Sequence, residues 1–289
     1  MFGGIVMRVL VTGGHGLLGT AVCTCFSLLG HRVIALGSAD SDITNHSITR
    51  SSILGFKPDL VVHAAAMTDV DGCELDPDTA YRVNSVGAWN VASCCEETGS
   101  RILFISTDYV FDGAKKAPYT EFDETNPLGI YGRSKLLGEK LVREACPRCY
   151  VVRTSWLFGP KGKCFPKTML KLARTKPSVN VVADQVGSPT YVDDLALAIA
   201  DIVQVPMFGT YHVANSGSCS WFGFTQTMLK LAGLNNVTVN PISSADWPSP
   251  TNRPAYSVLR PYVRELQGKP LLRNWQLALK EFVAKGIPE

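Results

Sequence analysis

The stretch Thr12-Gly-Gly-His-Gly-Leu-Leu-Gly19 contains three glycines, Gly13, Gly16 and Gly19, in the spacing G-x-x-G-x-x-G. It follows the β-branched run Arg8–Thr12, which is typical of a buried parallel strand, and it opens a helical pattern. In a strand–turn–helix of this kind, the first glycine allows the tight turn and the second lets backbone N–H groups approach a pyrophosphate. The third allows the helix to pack closely on the strand. The stretch therefore predicts a dinucleotide-binding turn.

Strand and helix patterns alternate on both sides of this turn. Further strands are predicted at Arg32–Leu36, Asp59–Ala66, Arg101–Ser106 and Tyr150–Thr154, and helices at about 17–29, 78–98 and 131–144. Strands that alternate with helices at this spacing predict an α/β fold with a Rossmann-type, doubly wound parallel sheet.

From about residue 158 the pattern becomes less regular. Helices are predicted near 165–175, 191–204, 220–232 and 274–285, with loops rich in Pro and Ser between them. We predict a dinucleotide-binding Rossmann domain over residues 1–157. Residues 158–289 are predicted to form mainly a smaller C-terminal substrate-binding lobe that is intimately joined to it.

Composition argues against several classes of function. The chain has 289 residues and a formal net charge of +3, and its Lys and Arg residues are dispersed, so no nucleic-acid partner is expected. No apolar run is long enough to span a bilayer. The apolar segment Met1–Val6 lacks the basic residue and the cleavage site of a signal peptide. We predict a protein that binds neither nucleic acid nor membrane.

Cysteine usage indicates a reducing, cytoplasmic setting. The nine cysteines are odd in number and scattered, and several lie in apolar stretches, where a free Cys behaves as a small hydrophobe. Cys146-Pro-Arg-Cys149 is a lone C-x-x-C without two further ligands at zinc spacing. We interpret it as a helix-to-strand connection rather than a metal site.

Tyr131-Gly-Arg-Ser-Lys135 places a phenol and an ammonium on one face of a helix, because residues four apart are neighbours there. The unperturbed pKa of a phenol is about 10, and the ammonium is expected to lower the pKa of Tyr131. The Tyr can then exchange a proton with a carbonyl oxygen or an alcohol during hydride transfer. Ser106-Thr107-Asp108 follows the fourth strand, where open α/β sheets bind ligands, and Thr107 or Ser106 can donate to the carbonyl oxygen. Together with the glycine turn, these residues predict an NAD(P)-dependent oxidoreductase.

The segment after the second strand bears on the choice of cofactor. NAD-preferring enzymes of this fold place an acid there for the ribose hydroxyls, whereas this chain has Gly37-Ser38. The missing acid removes a repulsion against a 2′-phosphate, so NADPH is predicted. NADH is the alternative, because no Arg stands there to bind the phosphate. Asp42 and Ile43 follow and are predicted to reach the adenine, while His15 in the glycine turn is interpreted as a variable position.

These residues together resemble the extended short-chain dehydrogenase/reductase superfamily, and within it the dTDP-4-dehydrorhamnose reductase family. The likeness covers nearly the whole chain. It extends over 64–71 with Glu74 and Asn84, 106–113, 131–139, 153–156, Asp184-Gln185, 187–190, Arg253-Pro254 with Ser257 and Leu259, and 274–276. It implies the reduction of dTDP-4-dehydro-L-rhamnose to dTDP-L-rhamnose, a step towards cell-surface polysaccharide.

The resemblance also implies which residues bind the cofactor and carry out the chemistry. Besides the glycines, the residues that would line the dinucleotide are Leu17, Leu18, Asp42, Ile43, Ala66, Met67 and Thr68. Tyr131 would donate the proton, with Lys135 and Thr107 assisting.

For the substrate, the resemblance implies a nucleotide sugar. Asp108 and Trp156 would contact the sugar, Tyr109 is assigned to substrate binding with them, and Arg253 is the candidate for the diphosphate. Some family members form a magnesium-bridged dimer through glutamates that have no evident counterparts here, so no metal is predicted. The chain is expected to act as a monomer or a homodimer.

Two other readings stay open. A nucleotide-sugar 4,6-dehydratase typically has Asp-Glu after the hydroxyl residue, but here Asp108 is followed by Tyr109, and a 4-epimerase would be expected to carry an acid after the second strand. A non-catalytic regulator similar to the β subunit of methionine adenosyltransferase would bind NADP and a partner enzyme without turnover. The runs Arg153-Thr-Ser-Trp156 and Asn274-Trp-Gln276 favour the reductase over the regulator.

Overall fold

The computed structural model describes residues 6–286, so most of the Met1–Val6 segment lies outside the described residues. The strands are β1 (Arg8–Thr12), β2 (Arg32–Leu36), β3 (Leu60–His63), β4 (Arg101–Thr107), β5 (Cys149–Thr154), β6 (Leu157–Phe158), β7 (Ser178–Val182), β8 (Val186–Gly187), β9 (Thr190–Tyr191), β10 (Gly209–His212), β11 (Asn215–Ser216), β12 (Cys219–Ser220), β13 (Thr238–Ile242) and β14 (Leu272–Asn274). The α-helices are α1 (Leu17–Leu28), α2 (His46–Phe56), α3 (Val70–Leu75), α4 (Pro77–Tyr81), α5 (Ala88–Thr98), α6 (Ile130–Ala145), α7 (Phe165–Thr175), α8 (Val192–Ile202), α9 (Trp221–Leu231), α10 (Tyr262–Leu266) and α11 (Trp275–Ala284).

The central sheet has six strands in the order β10-β5-β4-β3-β1-β2, and every neighbouring pair is parallel. The predicted Rossmann-type α/β fold is therefore confirmed. The chain winds from β1 to β2 in one direction and from β3 onwards in the other. In open α/β sheets, this reversal leaves a crevice at the carboxyl ends of the strands, where ligands bind.

Helices cover both faces of this sheet. On one face, α1 and α8 pack together over side chains such as Val9 and Val62, and on the other α2, α5 and α6 enclose Leu10 and Phe104. Strands β1 and β3 are buried on both sides, which explains why they read as continuous apolar runs rather than alternating ones.

The sheet also draws on the later part of the chain. Strand β10 pairs with β5, and α8 packs on α1, although both elements come after residue 157. The sequence did not predict β10, because its run Gly209-Thr-Tyr-His212 is too short to carry a period. A division of the chain after residue 157 stays a prediction, and the two parts share this one sheet.

Local differences from the sequence expectations have local causes. Helix α2 was not predicted, since only Thr49 and Ile53 are buried among its polar residues; Asn45 caps it, its side chain accepting from Ile48 N at 3.2 Å. Strand β3 ends at His63 instead of running to Ala66. The helix expected over 78–98 consists of α4, a π-helical segment (Arg82–Gly87) and α5.

The remaining elements form a second layer of structure beside the sheet. Helices α7, α9 and α11 pack around an aromatic core that includes Phe158, Phe224, Trp275 and Phe282. Strands β7 and β13 form a parallel ladder against this core. All four long helices predicted in this half of the chain are present within about two residues of the expected bounds.

The nine cysteines are free thiols, and Cys146 and Cys149 connect helix α6 to strand β5. Within residues 6–286, no cluster of three or more His, Cys, Asp or Glu side chains is arranged to hold a metal ion. No helix in that range is both long enough and apolar enough to cross a membrane.

Candidate active site

A cleft of about 820 Å³ opens along the carboxyl ends of the central strands. Its walls come from the β1–α1 turn, the segments after β2 to β5, the start of α6 and parts of the C-terminal half. The residues predicted from the sequence that line this cleft are Gly13, Gly16, Leu17, Leu18, Gly19, Asp42, Ile43, Ala66, Thr68, Thr107, Asp108, Tyr109, Tyr131, Lys135, Trp156 and Arg253. Met67 is not among the lining residues. The structure thus brings nearly all of these residues to one place, while their individual roles stay predictions.

The glycine turn is closed as tightly as the spacing predicts. Gly13 has φ +66°, and a Cβ there would lie 2.7 Å from Ala65 N. A Cβ on Gly19 would lie 2.1 Å from Gly13 O, so helix α1 could not pack against the turn with any larger residue. Gly16 precedes α1 and leaves the helix N-terminus accessible to the cleft. Backbone N–H groups at such a terminus suit a pyrophosphate, so the residues present fit a dinucleotide.

Asn84 holds the loop after β3 in place. Its Oδ1 accepts from Met67 N at 2.8 Å, and its Nδ2 donates to Met67 O at 3.1 Å and to Ser134 Oγ at 3.0 Å. Asn84 lies in the π-helical segment and is buried, so these bonds form away from water. They join the loop after β3 to helix α6, and they bind Met67 through its backbone N and O.

Hydroxyl and carboxyl groups meet at the end of β4. Thr107 Oγ1 accepts from Tyr109 N at 3.1 Å and donates to Asp108 Oδ1 at 3.1 Å. Ser257, from the C-terminal half, donates to Asp108 Oδ2 at 2.5 Å. Burial raises the pKa of Asp108 to about 7, although the hydrogen bonds from Ser257 and Thr107 oppose this rise. Asp108 therefore holds the two halves of the chain together at the floor of the cleft.

Tyr131 and Lys135 lie in the first turns of helix α6, and both line the cleft. The Tyr131 ring meets the edge of Tyr109, with 5.6 Å between ring centroids, and Lys135 Nζ lies 4.1 Å from the centre of the Phe104 ring. Burial lowers the pKa of Lys135 to about 7, while the charge of Glu139 acts in the opposite direction.

The expected lowering of the Tyr131 pKa is wrong for this structure. Burial raises the pKa of Tyr131, and a hydrogen bond with Thr107 only partly opposes this. The physical reason is that the phenolate would be desolvated, and the charges of Asp108 and Tyr109 disfavour the phenolate further. The phenol therefore stays protonated through neutral pH.

A buried ion pair lies directly behind this face of α6. Glu139 accepts from Arg153 Nε at 2.9 Å and from Arg153 NH2 at 2.8 Å, and Ser106 Oγ donates to the same carboxylate at 2.5 Å. The Glu139 side chain is 0% exposed and that of Arg153 is 6% exposed. Burial by itself raises the pKa of Glu139, but the hydrogen bonds and charge of Arg153 lower the pKa below its usual range.

Aromatic rings form part of the cleft wall. Trp156 has φ +47°, a left-handed backbone that is rare for a bulky residue, and its ring stacks on Trp221 with 3.4 Å between centroids and 5° between planes. Phe165 lies 4.4 Å from the Trp221 ring. The sequence reasoning singled out Trp156 but missed Trp221 and Phe165, because only tertiary packing brings α7 and α9 to the cleft.

Arg253 also lines the cleft. Its NH2 donates to Asp71 Oδ1 at 2.9 Å, and Ser249 Oγ donates to the same oxygen at 2.8 Å. Among residues 6–286 nothing accepts from the buried Nε of Arg253. A guanidinium carries several N–H donors, and because the contact with Asp71 uses only one of them, Arg253 retains donors for an anion in the cleft.

Comparison with known proteins identifies the family of this chain. A family model described as the RmlD substrate binding domain matches residues 7–287. The chain belongs to this family. The family predicted from the sequence motifs is thereby confirmed, since several relatives are named dTDP-4-dehydrorhamnose reductase.

Individual relatives cover almost the full length. The spore coat polysaccharide biosynthesis protein SpsK of Bacillus subtilis is 42% identical over 96% of this chain and 96% of its own length. A dTDP-4-dehydrorhamnose reductase of Mycobacterium tuberculosis is 40% identical over 96% of this chain and 92% of its own. The crystal structure of dTDP-4-dehydrorhamnose reductase from Bacillus anthracis in complex with NADP superimposes with a TM-score of 0.95, at 37% identity, over 97% of this chain and 100% of that one.

Proposed function

We propose that this protein reduces dTDP-4-dehydro-L-rhamnose to dTDP-L-rhamnose with hydride from NADPH. The observation that carries the proposal is that Tyr131, Lys135 and Thr107 face the same cleft as the glycine turn. A hydride acceptor placed there would meet a proton donor on one side and a dinucleotide on the other. The relatives named as reductases, at about 40% identity over the full length, support the same activity.

The cofactor would lie along the glycine turn and helix α1. Gly13 and Gly19 keep the turn tight, Gly16 leaves the helix N-terminus open for its pyrophosphate, and Asp42 and Ile43 would line the adenosine end of the cleft. When bound, NADPH supplies the hydride that reduces the substrate carbonyl. The NADP complex of the Bacillus anthracis relative and the glycine at position 37 favour NADPH over NADH.

Tyr131 would act as the proton donor to the carbonyl oxygen. Its raised pKa keeps the phenol protonated at neutral pH, which is the form that reduction consumes. Thr107, held by Asp108 and by the backbone of Tyr109, would bind the same oxygen and fix its position. Lys135 would hold the nicotinamide ribose and stabilise the phenolate that remains after proton transfer.

The substrate would fill the part of the cleft between β4 and the aromatic wall. Asp108 and Trp156 would contact the sugar, with Tyr109 beside them, and Arg253 would bind the diphosphate through N–H groups that Asp71 does not occupy. The dehydratase alternative lacks support, because Tyr109 occupies the position where that class carries its glutamate base. Among residues 6–286, no contact favours the regulatory alternative.

The proposal is tested with purified protein, the keto sugar and NADPH, with the product identified by NMR. Tyr131→Phe is expected to lower kcat by about 100-fold or more, since it removes the general acid. Tyr262→Phe is the matched control, because this hydroxyl lies outside the cleft, and it should leave kcat unchanged. Absence of turnover in the wild-type protein, or full activity in Tyr131→Phe, would refute the assignment.

A further inference from the structure

Trp221 and Trp156 stack face to face in the wall of the cleft. Their ring centroids lie 3.4 Å apart and their planes differ by 5°, so the two indoles overlap in van der Waals contact. Phe165 packs beside Trp221, with 4.4 Å between ring centroids. All three side chains line the cleft, and each residue is only partly buried. The stack therefore belongs to the cleft rather than to the buried core.

A second contact fixes the ring of Trp156. A Cβ on Gly187 would lie 2.6 Å from Nε1 and 2.7 Å from Cζ2 of this indole, so the ring occupies the space that any side chain at position 187 would need. The backbone of Trp156 has φ +47°, a left-handed conformation that persists in a bulky residue only where its surroundings enforce it. Trp221 and Gly187 supply those surroundings for the indole.

One short ladder places both contacts. Strand β12 pairs antiparallel with β8, and Cys219 lies opposite Gly187 in its register. Trp221 follows as the first residue of α9, and Ser220 caps this helix by accepting from Gly223 N at 3.1 Å. The ladder and the capped start of the helix therefore fix Trp221 and Gly187 relative to one another.

We propose that Trp221 is a positioning residue for the substrate: with Gly187, it holds the Trp156 ring in the orientation that contacts the nucleotide sugar. An indole that is free to turn would spend only part of its time in that orientation. Apparent affinity falls in proportion to the fraction of the protein that is competent to bind. This inference rests on the proposed function and adds the residue that prepares this part of the site before the substrate enters.

Isothermal titration calorimetry with dTDP-L-rhamnose, the proposed product, and separately with NADP⁺ tests the inference. Trp221→Ala is expected to weaken binding of dTDP-L-rhamnose by about 3- to 10-fold, as the loss of one aromatic contact allows, and to leave NADP⁺ binding unchanged. Trp221→Phe should recover most of the affinity, because a phenyl ring can still stack on the indole. Gly187→Ala should reproduce the loss, since its Cβ displaces the same ring.

A double variant separates positioning from direct contact with the ligand. If Trp221 acts through Trp156, Trp221→Ala should cause no further loss of affinity in a Trp156→Ala background. A further loss in that background would mean that Trp221 binds the ligand itself, and it would overturn the inference. Trp89→Ala is the matched control, because Trp89 is an exposed indole that does not line the cleft, and it should change neither affinity.

The two titrations also separate this inference from the proposed function. If the wild-type protein binds dTDP-L-rhamnose and Trp221→Ala leaves that affinity unchanged, the inference alone is refuted. An equal loss of NADP⁺ binding in Trp221→Ala would refute it as well, since the effect would not be confined to the substrate. Failure of the wild-type protein to bind dTDP-L-rhamnose would refute the proposed function and this inference together.

Discussion

Replacing Glu139 by glutamine tests whether the buried ion pair between Glu139 and Arg153 stabilises the fold. The substitution keeps the shape of the side chain and removes its charge. Arg153 then stays buried, at 6% exposure, without a countercharge. The substitution also replaces one Glu139 oxygen, which accepts from Arg153, by an amide N–H₂ group. The N–H groups of the amide and of Arg153 would then point at each other, and neither can accept a hydrogen bond.

The expected loss of unfolding free energy follows from the burial of Arg153. Removing one partner of a buried pair destabilises a protein by about 3–5 kcal/mol, because the remaining charge is left desolvated. For a chain of this size, each kcal/mol corresponds to about 2 °C in Tm. We therefore expect Tm of Glu139→Gln to fall by about 6–10 °C.

Differential scanning calorimetry of the purified variants measures this difference. The matched control is Glu96→Gln, which makes the same change in a surface pair: Glu96 accepts from Arg148 at 2.9 Å, with the two side chains 45% and 37% exposed. This exposed pair is expected to contribute about 1 kcal/mol or less. Equal shifts of Tm in the two variants would contradict the argument from burial.

The pH dependence of the difference in Tm provides a second test of the stabilisation by this ion pair. Burial by itself raises the pKa of Glu139. In the folded protein, however, Arg153 lowers the pKa of Glu139 below the ordinary value of 4.5. The contribution of the pair is therefore present above that value and is lost as the pH falls through the folded pKa. The difference in Tm between the wild type and Glu139→Gln should narrow in this acidic range and stay constant near neutrality.

Two further predictions concern the glycine turn and the lysine. Gly19→Ala should lose about 1–3 kcal/mol of unfolding free energy in urea, because its Cβ would lie 2.1 Å from Gly13 O. Gly55→Ala, in a helix with open space around the new methyl group, should gain about 0.5–1 kcal/mol. Because burial lowers the pKa of Lys135 to about 7, the charged form is lost above that pH, and kcat/KM for reduction should fall there. A profile that stays flat above pH 7 would contradict this.

The sequence by itself determined the order of the core elements and the place of the chemistry. The bounds of β1 and β2 and the tight turn through Gly13 and Gly19 were predictable, because each depends on neighbouring residues in the chain. The same is true of Tyr131 and Lys135, whose spacing sets a common helix face. The parallel sheet then brings such segments to one edge, so most of the predicted site residues share one cleft.

Only the tertiary structure decided what depends on distant parts of the chain. Strand β10 joins the sheet from the second half, and Trp221 stacks on Trp156 because α9 packs beside the cleft. Asp40 turns back onto the segment after β2, where its side chain accepts from Gly37 N, a contact that the sequence did not predict. Burial also set the pKa of Tyr131 above its ordinary value. Desolvation and packing depend on which distant segments cover a group, and no local pattern of residues encodes that.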